Sequence, residues 1–369
     1  MSAAFQRRDL RLCGLLAVSL FPGHAQGLLY VGAWQKQVLV IDEALQKVVE
    51  KIPLTTGTPS DLQISSDRRK LFVTTWAHNG IEVIDLATRQ VTNHFLLDEG
   101  NRRVWPSGIA ADPQDRLLYT TVEVSIKQVD RFEREPVKFA VIDLAQRKIT
   151  RTAEYPKEEE NLLALFANHR ISPDGKYLYE FRDNVLIFDT SDFKLVEKIE
   201  LAKPRSPGME MVGMTSTNLP VDPPGMMTAV FNASDPVVHR LIFGIARVDL
   251  SNRNFDFTAV GPATKGMSGL RVTPDGKTGY TVVTEDGPQG SRRSEFWVFD
   301  VPSRKLTRRV EFPARTTFHF TMSSSGKQLY VYSGPSLEIY DASTLQLQKI
   351  IDVEADTTTD IVAVPPRKS

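Results

Sequence analysis

Seven short apolar runs, rich in β-branched and aromatic residues, each end on a single aspartate. They read VLVID at Asp42, IEVID at Asp85, FAVID at Asp143, VLIFD at Asp189, IARVD at Asp249, FWVFD at Asp300 and LEIYD at Asp341. Runs of about five residues with this composition predict β-strands, whereas a helix needs a sustained 3.6-residue period. The one stretch that offers a helical period is 157–167. The aspartates recur every 41 to 60 residues, a period that marks stacked or circular repeat architectures.

Each unit follows one order: a strand, a polar turn, a second strand, a loop, the strand ending in aspartate, a short turn and a last strand. The first turn is clearest as Ser172-Pro173-Asp174-Gly175-Lys176 and Thr273-Pro274-Asp275-Gly276-Lys277. Proline presets one backbone angle there, while Asp and Gly tolerate the bend. Degenerate copies begin at Ser65, Asp112, Asp222 and Ser323. Six copies of the first strand and turn are complete, and the seventh is split between the chain ends. Residues 361–368 overlay 269–276, and Leu28-Leu29-Tyr30-Val31 supplies the strand due next. Closure alone pairs these strands and removes exposed edges. The expected fold is therefore all-β, a seven-bladed β-propeller whose closing blade combines one C-terminal and three N-terminal strands.

The first 25 residues break the pattern. Arg7, Arg8 and Arg11 precede an apolar run over 12–21, and Gly23 and Ala25 flank His24. This order predicts a secretory signal cleaved after Ala25, leaving 26–369 as a single propeller domain, periplasmic or secreted. The apolar run is too short for a permanent membrane anchor. Adjacent Arg7 and Arg8 raise the twin-arginine route, although Asp9, Leu10 and Arg11 match that motif poorly. Cys13, the one cysteine, lies inside the signal, so the exported chain is expected to have no disulfide and no thiolate metal site.

Composition narrows the partners. Acidic and basic residues balance at 45 each, giving no global field toward nucleic acid or an anionic membrane. The repeat pieces LYV at Leu29 and Leu329, VIDLATRQV from Val83, VIDLAQRKI from Val141 and the two Pro-Asp-Gly-Lys turns resemble the YVTN-type propeller repeat family. The resemblance spans nearly all of the chain beyond the signal and implies the propeller fold. It also implies a relation to propeller subunits of amine dehydrogenases, and leaves the chemistry open.

The seven aspartates occupy one repeat position before a tight turn, where a carboxylate accepts backbone amides two and three residues on. They are expected to be scaffold. Function is sought instead on the face where the inner strands begin and the second strands turn back. That face should hold Trp34, Trp76, His78, Arg102, Arg103 and Trp105, with Asp61, Asn168, His169, Asn218, His319 and Asp360 at the inner-strand mouths. Rim tryptophans offer flat surfaces for a ligand. His169 aligns with Leu62 and Leu270, a position expected to pack between blades. Two loops, 123–136 and 285–294, are enlarged, and 204–217 is a Met- and Gly-rich excursion.

Neither GxSxG, HExxH nor a P-loop occurs, and no HxH or HxxxH pair favours a metal. The leading expectation is a non-catalytic exported scaffold that binds a protein or small molecule on its channel-mouth face, with no cofactor. One alternative, drawn from the resemblance, is the propeller subunit of a periplasmic amine- or quinone-linked dehydrogenase. Another is a lactonase-type hydrolase, for which Asp61, His319 and Arg315 are the candidate set.

Overall fold

The computed structural model describes residues 27–65, 67–76, 79–160, 168–181, 184–200, 210–215, 222, 225–234, 241–262, 267–286, 291–313 and 318–366. Within them lie twenty-nine strands, numbered β1 to β29 in chain order, and no helix. They form seven small antiparallel sheets, six of four strands and one of five. The protein is a seven-bladed β-propeller. The predicted signal, and 161–167 of the stretch with a helical period, lie outside the described residues.

Local chemistry builds each blade. In all seven blades the Oδ1 of the terminal aspartate accepts a backbone N–H from the following turn: Asp85 takes Ala87 at 2.9 Å and Thr88 at 2.8 Å, and Asp341 takes Ser343 and Thr344 likewise. Asp42, Asp143, Asp189, Asp249 and Asp300 repeat the arrangement. Four residues after each aspartate the chain takes a positive φ at a non-glycine residue: Gln46, Arg89, Arg147, Phe193, Arg253, Arg304 and Leu345. The carboxylate thus holds a left-handed position that an ordinary side chain otherwise resists. A bulge follows in each of these ladders, as between Val83 and Ile84, and adds local twist.

The core is distributed as seven apolar clusters, each between two neighbouring blades. Middle strands such as β6 (Gly80–Asp85) are buried on both faces, while outer strands such as β7 (Gln90–Leu96) alternate exposed and covered. This is the pattern expected when sheets stack face to face around an axis.

The ring closes as predicted, with β29 (Val362–Val364) joining β1 (Leu28–Ala33), β2 (Gln37–Asp42) and β3 (Lys47–Pro53). The register differs by one residue from the sequence overlay. Ala363 pairs Leu29, and at the same place Val272 pairs Gly279 and Ile64 pairs Leu71. The overlay instead set Ala363 on Arg271. Pro365-Pro366 does not stand for the Thr273-Pro274 turn, because no hairpin joins the closing strand to its neighbour. The shift exchanges the faces of every side chain on the strand, and sets Asp360 level with Asp61.

Candidate functional site

The innermost strands line an axial channel. These are β29, β4 (Pro59–Ile64), β8 (Arg102–Ala111), β13 (Asn168–Ile171), β17 (Glu210–Thr215), β21 (Arg271–Val272) and β25 (His319–Met322). A cavity of about 350 Å³ runs through it, lined in part by Asp61, Asn168, Arg170, Arg271 and Asp360. Strand register sorts the groups into rungs. Asp61 and His319 pair equivalent second-strand positions, Thr74 and Tyr332, and Asn168, opposite Phe181, joins them. Asp360 completes that outer rung. Two residues further inward, Arg170 and Arg271 pair Tyr179 and Tyr280, which puts both guanidinium-bearing residues on one inner rung with Gln63 and Thr321.

The outer rung holds a carboxylate-oriented imidazole. His319 Nδ1 lies 2.8 Å from Asp360 Oδ1. The His319 ring stacks on Tyr332, with centroids 5.2 Å apart and planes 18° from parallel. The Tyr332 hydroxyl accepts the Ile361 N–H at 2.7 Å and lies 3.5 Å from Asp360 Oδ1. The bond to Asp360 raises the imidazole pKa above its ordinary value, and the same bond holds the Asp360 carboxyl below its own. Asp61 behaves oppositely. It opens onto the channel yet sits deep within the ring, so desolvation raises its pKa; the Leu62 N–H at 2.9 Å offsets this and the Asp360 charge adds to it.

The inner rung is cationic. Arg170 donates to the His169 carbonyl at 2.7 Å, and Arg271 makes the matching contact to the Leu270 carbonyl at 3.5 Å. Burial lowers the Arg170 pKa to about 10, with Asp61 pulling it back up. Arg271 is lowered for the same reason, with Asp360 opposing.

Among the other sequence candidates, His169 is fully enclosed beside Glu180, Nε2 to Oε2 3.5 Å, and the Tyr155 hydroxyl donates to that carboxylate at 2.5 Å. It packs between blades, as its alignment with Leu62 and Leu270 predicts. Trp34, Trp76 and Trp105 lie at the channel-mouth ends of three consecutive blades and are about half exposed, at 55%, 47% and 49%. Arg102 and Arg103 are engaged there by Glu135 and Asp98. His78, Asn218 and Arg315 lie outside the described residues. Sequence reasoning missed Arg170, Arg271 and Tyr332. One signal was present: Arg-Ile-Ser-Pro at Arg170 and Arg-Val-Thr-Pro at Arg271 repeat an arginine where other units carry Gln63 and Thr321.

No protein-family model matches the sequence, and no curated protein matches it. Solved structures share the fold. A functionally unknown protein from Desulfotomaculum acetoxidans superposes with a TM-score of 0.58 at 15% identity, covering 93% of this chain and 100% of the other. The periplasmic gluconolactonase PpgL of Pseudomonas aeruginosa gives 0.52 at 15% identity, over 92% and 99%. Dihydro-heme d1 dehydrogenase NirN, solved in complex with DHE, gives 0.50 at 15% identity, over 92% and 75%. At this identity the likeness establishes the fold alone, a ring that serves unrelated chemistries.

Proposed function

We propose that this protein is an exported binding protein whose ring takes a small molecule into the mouth of its central channel, and that it is non-catalytic by itself. The observation that carries the reading is the gathering of charged groups from five blades, Asp360, Asp61, Arg170, Arg271 and His319, about one cavity. A propeller needs only apolar interfaces and turns to fold. Charged groups with shifted pKa values that gather about one cavity mark functional sites. The exposed Trp34, Trp76 and Trp105, on three consecutive blades, supply flat apolar faces beside the mouth. Export rests on the signal-like segment 1–25.

The test is a chemically diverse metabolite panel, read by thermal unfolding and calorimetry. A ligand at a hundredfold excess over its Kd stabilises by about 2.7 kcal/mol. Asn168→Trp, which fills the mouth, is expected to abolish that gain with the fold retained. Equal binding by both proteins would place the ligand elsewhere and sink the reading.

A second reading, a lactonase-type hydrolase, is favoured by one contact, the 2.8 Å bond that aims the His319 imidazole through Asp360. A fold shared with a gluconolactonase accompanies it. Lactone hydrolysis by the wild type, lost in His319→Asn, would support this reading; hydrolysis unchanged by the variant would refute it.

A further inference from the structure

We propose that removal of the signal completes the propeller: the α-ammonium released on Gln26 pairs with the Glu43 carboxylate and locks the closing blade to its neighbour. This rests on the export half of the reading above, cleavage after Ala25, and adds what the new chain end does. It is independent of the channel. Hydrolysis of the Ala25–Gln26 peptide bond by the exporting cell's signal peptidase consumes one water, leaving a carboxylate on Ala25 and an ammonium on Gln26.

Three observations carry it. The first is the seat of Gly27. Glu43, next to the turn aspartate Asp42, donates its N–H to the Gly27 carbonyl at 3.2 Å. Gly27 is buried, and a Cβ built on it would lie 2.0 Å from both Glu43 Oε2 and Ser324 Oγ. Only glycine passes so close to that carboxylate. Neighbouring Cα atoms are ~3.8 Å apart, so an amine on residue 26 starts within one peptide unit of it.

The second is the state of the carboxylate. Ser324 donates to it twice, through its N–H at 2.7 Å to Oε1 and through its hydroxyl to Oε2. The titratable groups beside it are Asp42 and Tyr330, and among the described residues no cationic side chain pairs with it. Burial raises its pKa, the Ser324 bonds oppose this and the Asp42 charge adds to it. A half-enclosed carboxylate beside a second carboxylate is the complement of a compact cation, and a hydrogen bond from an ammonium is charge-assisted. The precursor offers only a neutral amide at the same nitrogen.

The third is the place of Glu43 in the ring. The neighbouring blade consists of β25, β26 (Gln328–Ser333), β27 (Ser336–Asp341) and β28 (Leu347–Asp352), and Ser324 lies in its β25–β26 turn. Glu43 reaches it from the β2–β3 turn of the closing blade, across 281 positions of sequence. The pair therefore sits on the interface between the blade that holds the N-terminal strand and the last complete blade.

The experiment starts with the mass of the chain recovered after export, which is expected to begin at Gln26 with a free amine. A chain that begins elsewhere, or one that has lost ammonia by cyclisation of Gln26, would overturn the proposal and leave export and channel binding standing. A signal retained in the cell would sink the export reading as well. Urea unfolding then compares the mature chain with one carrying a Gly-Ser leader before Gln26, each with Glu43 and with Glu43→Gln. Circular dichroism checks that all four have folded. With Glu43 present, the free amine is expected to shift the unfolding equilibrium about tenfold toward the folded state, the size of a hydrogen bond to a charged group. With Glu43→Gln the two chains are expected to unfold alike. Equal stability of the two Glu43 chains, or a difference that survives Glu43→Gln, would overturn the proposal.

Discussion

At the scale of single residues, the turn aspartates illustrate how much one carboxylate does. Asp85 holds two amides of its turn and thereby Arg89 at φ 57°. Asp85→Ala is expected to cost about 1 kcal/mol, the usual value of a side-chain cap on backbone amides, measured by urea unfolding. For Asp341 and Asp300, side-chain and backbone hydrogen bonds hold the carboxyl below its ordinary 3.8. Their contribution is therefore present above that value and lost as pH falls through the lowered one. His319 runs the other way. Its pKa is raised above 6.5 by Asp360, so its stabilisation is full below 6.5 and disappears as pH rises through the folded value. The groups facing it are Asp360 and Tyr332; Arg271 and Asp61 interact with Asp360. An NMR titration should find His319 titrating above 6.5 and falling back in Asp360→Asn; an unchanged value in that variant would remove the pair from the account. The aspartate role was legible because seven copies share it. The arginines were not, because a guanidinium at one position in two units reads as ordinary surface charge until the strand register turns it into the channel.

Elements carry the closure. β29 contributes only three residues, yet its Ala363 and the preceding Ile361 sit in the apolar cluster between the closing blade and its neighbour formed by β25 to β28. The Gly32 N–H to Thr359 Oγ1 bond at 2.8 Å and the Thr358 Oγ1 to Pro59 carbonyl bond at 2.8 Å tie the same segment to two blades. Deleting residues 361–369 is expected to lower stability by about 3 kcal/mol or more, through lost burial, and to promote association through the exposed edge of β1. Unfolding curves and light scattering check both; an unaltered midpoint would mean that closure is dispensable. That the ends pair was legible from the split repeat. The register was not, since a hairpin normally sets it and none exists at the seam. The enlarged loop 123–136 reads in the sequence as a cover for the channel, a grip on a partner or a plain solvated hairpin. It folds as a hairpin, the extension of β9 (Leu117–Lys127) and the added strand β10 (Phe132–Arg134), which makes its blade five-stranded.

For the whole molecule, the ring accounts for the contrast between a readable fold and a hidden site. Repetition multiplies each weak strand or turn signal, so the count of blades survives any one degenerate copy. The site draws single residues from different repeats, and Asp61 and Asp360 come together across nearly the full length of the chain. Asp61 and His319 were nominated from sequence alone. The partner that orients His319 is Asp360, which the sequence marks only as one of the mouth residues. The balance of 45 acidic and 45 basic residues conceals a local arrangement in which Asp61 and Asp360 stand on the outer rung of the channel and Arg170 and Arg271 on the inner one. The most direct test of the central claim is a calorimetric titration of wild type and Asn168→Trp with the tightest compound of the panel. The account predicts one site per chain in wild type and none in the variant; undiminished one-to-one binding by Asn168→Trp would contradict it.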